Sequence, residues 1–197
     1  VLSIAMLAGC ENAPRETASD SSGITGTEAG TPLEAVAVLV PTEGNQTAGS
    51  LVFKRDGDEI EVSGEIAGLS PGEHGLHVHE LGNCDCPDGE CAGPHFAPGG
   101  EPHGAPTAEK RHVGDLGNVT AGEDGTAKVE VEDGVLALDG VKSIIGRAVV
   151  VHAGKDDLTS QPSGNSGPRV ACGVVGIARE ETPKAAGTDA KAGGEAT

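Results

Sequence analysis

Ala127-Lys128-Val129-Glu130-Val131-Glu132 alternates apolar and charged side chains with a period of two. That period belongs to a β-strand with one face on a core and the other in water. The same signature recurs on either side of it. Ile60, Val62 and Ile66 share one face, and Ala35 to Val40, Ser50 to Lys54, Arg147 to His152 and Val170 to Ala178 are short β-rich runs. Asp56-Gly57 and Glu123-Asp124-Gly125 supply turn chemistry between them. No segment has the spacing of an amphipathic helix, and no internal repeat is present. Thirty-two glycines favour turns and close backbone approaches over long helices. Phe53 and Phe96 are the only aromatic residues, so the core must be built from Val, Ile, Leu and Ala. These features predict an all-β sandwich or barrel.

The formal charge is -18, from 13 basic and 31 acidic residues. A nucleic-acid partner needs a basic face, and no Lys/Arg cluster supplies one, so that class is excluded. Glu11 to Glu28 contribute -3 and the stretch from Arg179 contributes -1, which leaves -14 for the domain between them. So acidic a surface promotes solubility.

The chain divides into four parts. Residues 1–9 (VLSIAMLAG) are an apolar run ending in small residues, read as the remnant of a signal peptide and too short to span a bilayer. Leu7-Ala8-Gly9-Cys10 resembles a bacterial lipobox, which implies cleavage before Cys10 and a lipid on its sulfur; the other reading is a short buried element with an ordinary thiol. Residues 10–32 are rich in Ser, Thr, Gly and Glu and read as a flexible linker. The folded domain is expected over 33–179, followed by a disordered low-complexity tail at 180–197. Setting Cys10 aside leaves Cys84, Cys86, Cys91 and Cys172, an even number suited to disulfides in an oxidising compartment.

Leu81 to Gly114 breaks the strand pattern and is full of Gly, Pro, Cys and His. A loop this long in a compact domain is usually functional or cross-linked. Just before it stands His77-Val78-His79. On a strand the two imidazoles face one side while Val78 points into the core, giving half of the square-planar nitrogen site that Cu(II) favours. Two ordinary buried or surface histidines would produce the same tripeptide. His95, His103, His112 and Asp115 follow in the spacing H-x7-H-x8-H-x2-D. Three imidazoles and a carboxylate suit tetrahedral Zn(II), and binding it would explain how so long a loop stays ordered.

The segments GEHGLHVHE (Gly72 to Glu80), AGPHFAP (Ala92 to Pro98), RHVGDLGNV (Arg111 to Val119), IIGRAVVVHAGKDDL (Ile144 to Leu158) and GPRVACGVVGIA (Gly167 to Ala178) resemble the copper/zinc superoxide dismutase family. The similarity runs in order across Ala35 to Ala178. It implies an eight-stranded Greek-key β-barrel or sandwich, immunoglobulin-like, with a long metal-binding loop. It implies His77, His79, His95 and His152 as copper ligands and His95, His103, His112 and Asp115 as zinc ligands, with His95 bridging. His74 matches a family histidine hydrogen-bonded to backbone, and Asp156 an aspartate linking a copper-bound to a zinc-bound histidine. Arg169 matches the arginine beside the copper, where a guanidinium can orient a small anion. The implied activity is conversion of superoxide to O2 and H2O2 by Cu(II)/Cu(I) cycling, with His95 as proton carrier.

The resemblance also makes Cys172 a disulfide cysteine and favours Cys84 as its partner. Cys86 and Cys91 would then close a second bridge or, alternatively, bind copper as thiols. Asp157 to Arg169 is a short connection, with Ser163 where many relatives carry a threonine near the channel mouth. Because the domain is acidic and superoxide an anion, a local positive funnel at Arg169 with Lys155 is expected. The implied setting is export to the periplasm or cell envelope, with membrane contact only through lipidated Cys10, as a monomer or homodimer. The competing function is a non-catalytic copper-buffering lipoprotein of the same fold.

Overall fold

The computed structural model describes residues 31–180; the signal remnant, the lipobox Cys10 and the low-complexity tail lie outside them, as does nearly all of the linker. Eight strands form in chain order: β1 (Pro32–Pro41), β2 (Ala48–Asp56), β3 (Glu59–Ala67), β4 (Gly72–His79), β5 (Asp115–Ala121), β6 (Ala127–Asp133), β7 (Ala148–His152) and β8 (Arg169–Glu180). All pairings between them are antiparallel. They close into a barrel in the order β1-β2-β3-β6-β5-β4-β7-β8. The chain leaves β3 for β4 across two intervening strands and later crosses from β6 to β7, which is Greek-key connectivity. Closure leaves no strand with an unpaired edge. Among the described residues no helix is long and apolar enough to cross a membrane.

The alternation read at 127–132 holds: Ala127 and Val129 are buried and Val131 is half-buried, while Lys128, Glu130 and Glu132 are exposed. Opposite them on β3, Val62 pairs with Val131 and Ile66 with Ala127, so the two apolar faces meet in register. Inside lies one continuous core of Val, Ile, Leu and Ala around Phe53, with Phe96 at one side. Every residue of β7 is buried, because one face meets this core and the other meets a loop. Val149 and Val151 enter the barrel, whereas Ala148 and Val150 pack outside it with Ala92, Cys172 and Cys84.

That second, smaller cluster shows where the long connection goes. Glu80 to Gly114 contains no strand and a single 3-10 turn at Glu90–Ala92. It lies over the outer faces of β4 and β7 and is sewn to the barrel at several points. Val78 N donates to Gly114 O, Phe96 N to Val78 O, and Leu81 N to Ala92 O, all at 2.8 to 2.9 Å. Gly114 sits so close to β4 that a Cβ there would lie 2.0 Å from Val78 O. Disulfides join Cys84 to Cys172 and Cys86 to Cys91. The first ties the loop to β8 across 88 residues of sequence. Such cross-links belong to an oxidising compartment.

Candidate metal centre

β4 and β7 are neighbours, with His77 opposite Val150 and His79 opposite Ala148. His77 and His79 therefore share the outer face of the barrel wall, and His152 ends β7 on that same side. The overlying loop supplies His95, which bridges to His79 across the two segments. The ligand atoms of His77, His79, His95 and His152 lie within 4.8 Å of one another, and so do those of His95, His103, His112 and Asp115. His95 belongs to both groups. All seven residues are buried. The fold thus brings together every histidine of the two sequence groups and leaves His74 apart, its ring nitrogens 2.9 Å from His152 O and 2.8 Å from Ser70 O.

Each ring is fixed by its second nitrogen. His77 Nε2 donates to Asp156 Oδ2 at 2.8 Å, His79 Nδ1 to Gly93 O at 2.8 Å, and His152 Nδ1 to Gly167 O at 3.0 Å. His103 Nε2 donates to the other Asp156 oxygen at 2.9 Å. One carboxylate therefore orients a ring in each group. These acceptors set the tautomers, so the remaining nitrogens present lone pairs. They find no hydrogen-bond donor: His77 Nδ1, His79 Nε2, His95 Nε2, His103 Nδ1 and His152 Nε2 are all buried without a partner. In the second group Nδ1 of His95, His103 and His112 stand 2.8, 3.0 and 3.1 Å from Asp115 Oδ1.

Converging buried acceptors cost several kcal/mol unless a cation or donors satisfy them. The residues present therefore fit metal ions, four nitrogens in one group and three nitrogens with an oxygen in the other. Burial prepares them further. It lowers the pKa of His79 well below the ordinary value, that of His95 to about 4 and that of His152 to about 3, so these rings are neutral ligands at neutral pH. Burial alone would raise Asp115 and Asp156. Hydrogen bonds from His112, His95 and the Gly104 amide hold Asp115 far below the usual carboxylate range instead. Those from His77, the Leu158 amide and His103 lower Asp156 in the same way.

A cavity of about 740 Å³ opens beside the first group, walled by His79, His95 and His152 together with Ser163 and Arg169. Arg169 is only 10 % exposed; Nη1 donates to Gly89 O and Nη2 to Gly93 O, both at 2.8 Å. Glu90 Oε2 stands 3.1 Å from Nη2. Burial lowers the Arg169 pKa, with Glu90 and Asp88 acting in the opposite direction. The expected contribution of Lys155 does not materialise. Its ammonium is paired with Glu73 at 2.6 Å on the exposed surface and does not line the cavity. The second cation there is Arg147, which lies over the Phe96 ring at 3.4 Å and donates to the Glu80 and Ser143 carbonyls.

Several supporting residues carried no sequence signal. Asn118 clamps Asp156 by accepting from its N–H and donating to its C=O, at 2.7 and 2.9 Å. Gln161 holds His103 in the same two-point manner. Gly164, at φ 67°, approaches so closely that a Cβ would meet Asp156 Oδ1 at 1.7 Å. Asn118 and Gln161 act across 38 and 58 residues of chain, so neither spacing nor periodicity marks them.

The comparisons with known proteins agree with this geometry. A family model described as copper/zinc superoxide dismutase matches residues 47–175. A crystal structure titled as that of the clock protein EA4 is 42% identical with a TM-score of 0.68, and the match covers 75% of this chain and 96% of that one. The family match spans β2 to β7 entire, with all seven clustered residues and Asp156 and Arg169 inside it. By that match and that arrangement, this chain belongs to the copper/zinc superoxide dismutase family.

Proposed function

We propose that the chain is an active superoxide dismutase, with copper held by His77, His79, His95 and His152 and zinc by His95, His103, His112 and Asp115. The observation that carries this reading is the shared His95: its Nε2 is a buried, unpartnered lone pair in the first group while its Nδ1 faces Asp115 in the second. Bound there, copper would supply one-electron chemistry between Cu(II) and Cu(I), and zinc a fixed charge that holds the ring. The protein does the rest. Arg169, on the cavity wall, binds the superoxide anion and directs it to the first group. His95 carries a proton at Nε2 towards the reduced dioxygen. Asp156 fixes the rings of His77 and His103 and so sets the direction of their free nitrogens.

Copper buffering without turnover would use the same nitrogens but gives Arg169 no task. Purified protein should hold one copper and one zinc per chain and remove superoxide in a cyanide-sensitive manner. Full metal occupancy without superoxide removal would favour the buffer.

We place the domain outside the cytosol, tethered through a lipid on Cys10 and the linker at 10–32. A Cys10→Ser change should move the protein from the membrane fraction to the soluble one. Unchanged membrane association would remove the anchor from the account.

A further inference from the structure

Cys86 and Cys91 belong to neither cluster of metal-ligating side chains, yet their disulfide closes a ring, Cys86-Pro87-Asp88-Gly89-Glu90-Cys91, whose Glu90 lines the cavity. Gly89 N donates to Cys86 O across this ring at 3.0 Å, and Gly89 takes a left-handed φ of 74°. Its carbonyl accepts from Arg169 Nη1, while the Glu90 carboxylate pairs with Nη2. Just past the ring, Gly93 N donates to Glu90 O at 3.0 Å. The Gly93 carbonyl then accepts from Arg169 Nη2 and from His79 Nδ1, each at 2.8 Å. On its far side the ring is pinned by Glu43 N donating to Pro87 O at 2.7 Å.

The guanidinium is thus placed by the loop and not by its own strand, since every acceptor its side chain uses lies between Gly89 and Gly93. Open, this glycine-containing segment would sample many conformations, and few of them would present both carbonyls at the spacing of one guanidinium. The other disulfide does not restrict it in this way. Cys84–Cys172 anchors the start of the loop in the outer apolar cluster, upstream of the ring.

We propose that the Cys86–Cys91 disulfide is a positioning device for Arg169: by closing the ring it fixes the Gly89 and Gly93 carbonyls that hold the guanidinium on the cavity wall. Its consequence for superoxide capture rests on the dismutase reading, but the placement itself does not.

The test compares wild-type protein with a C86S/C91S variant that keeps the Cys84–Cys172 bridge. In metal-free protein, phenylglyoxal labelling of individual arginines is followed by peptide mass spectrometry. Arg169 should label about ten-fold faster in the variant, as a segment freed of its cross-link opens more often, while Arg147 in the same cavity changes less than about two-fold. Equal labelling of Arg169 would overturn the proposal, and so would a parallel rise at Arg147 and buried Arg111, which reports general loosening. With copper and zinc loaded to equal content, the variant should remove superoxide about three- to ten-fold more slowly, and an unchanged rate would equally count against it. Labelling does not depend on turnover. A wild-type protein inactive towards superoxide would therefore sink the dismutase reading and leave the labelling to decide this one.

Discussion

Arg169 and Asp156 show how much single side chains decide here. Arg169→Ala removes a cation from the cavity wall shared with His79 and His152 while touching no proposed ligand, so superoxide removal should fall about ten-fold or more with copper retained. A variant with full copper and normal kinetics would refute its role. Glu90 works against the same cation from 3.1 Å, and its carboxylate is 63 % exposed. Glu90→Gln should therefore speed superoxide removal about two-fold at low salt; a slower enzyme would mean that Glu90 serves chiefly to hold the guanidinium. Asp156→Asn replaces an acceptor pair with one acceptor and one donor, leaving either His77 or His103 in the wrong tautomer. Metal affinity in a chelator competition should drop about 10- to 100-fold, and an unchanged affinity would contradict the orienting role. Six of the seven clustered residues were legible as two spacing patterns, and His152 was marked only by the family resemblance. Glu90, Asn118 and Gln161 were marked by neither, because each acts on a partner brought near only by folding.

At the level of elements, the two disulfides close loops of very different length. Opening Cys84–Cys172, 88 residues apart, should cost about 4.5 kcal/mol of unfolding free energy, and opening Cys86–Cys91, five apart, only about 2 kcal/mol by the chain-entropy relation. Denaturant titrations of C84S/C172S and C86S/C91S give the comparison, and equal losses would show that loop length does not govern it. β3 and β6 were legible from alternation, since a half-buried strand writes its two faces into the sequence; β1, β2, β7 and β8 were legible as short β-rich runs, and the end of β4 from His77-Val78-His79. β5 was the exception. Asp115-Leu-Gly-Asn-Val-Thr-Ala shows no clean period, because Gly117 takes φ 78° and the β4–β5 register shifts between Gly75 and His77. β7 also lacks alternation, because the long loop buries its outer face as well. Alternation marks a face only when the other face meets water.

The whole molecule sets the electrostatic problem. A domain carrying -14 repels superoxide at range, and its cavity cations are partly offset: Arg169 by Glu90, with Glu80 also on the cavity wall. Screening should then help more than it harms. Raising salt from about 10 mM to about 150 mM should increase the rate about two-fold, whereas a falling rate would reveal a net attractive funnel. The same site bears on stability, because five buried ring nitrogens find no hydrogen-bond donor and a bound metal would satisfy them. Chelation should lower the thermal midpoint by about 10 degrees or more, and an unchanged midpoint would mean that the clusters hold no metal. Catalytic turnover is measured by following superoxide after a radiolytic pulse, in large excess over protein of known copper and zinc content. An active dismutase gives first-order decay that consumes many superoxide anions per copper at a rate proportional to copper. Decay that stops after one equivalent per copper, with both metals fully bound, would contradict turnover.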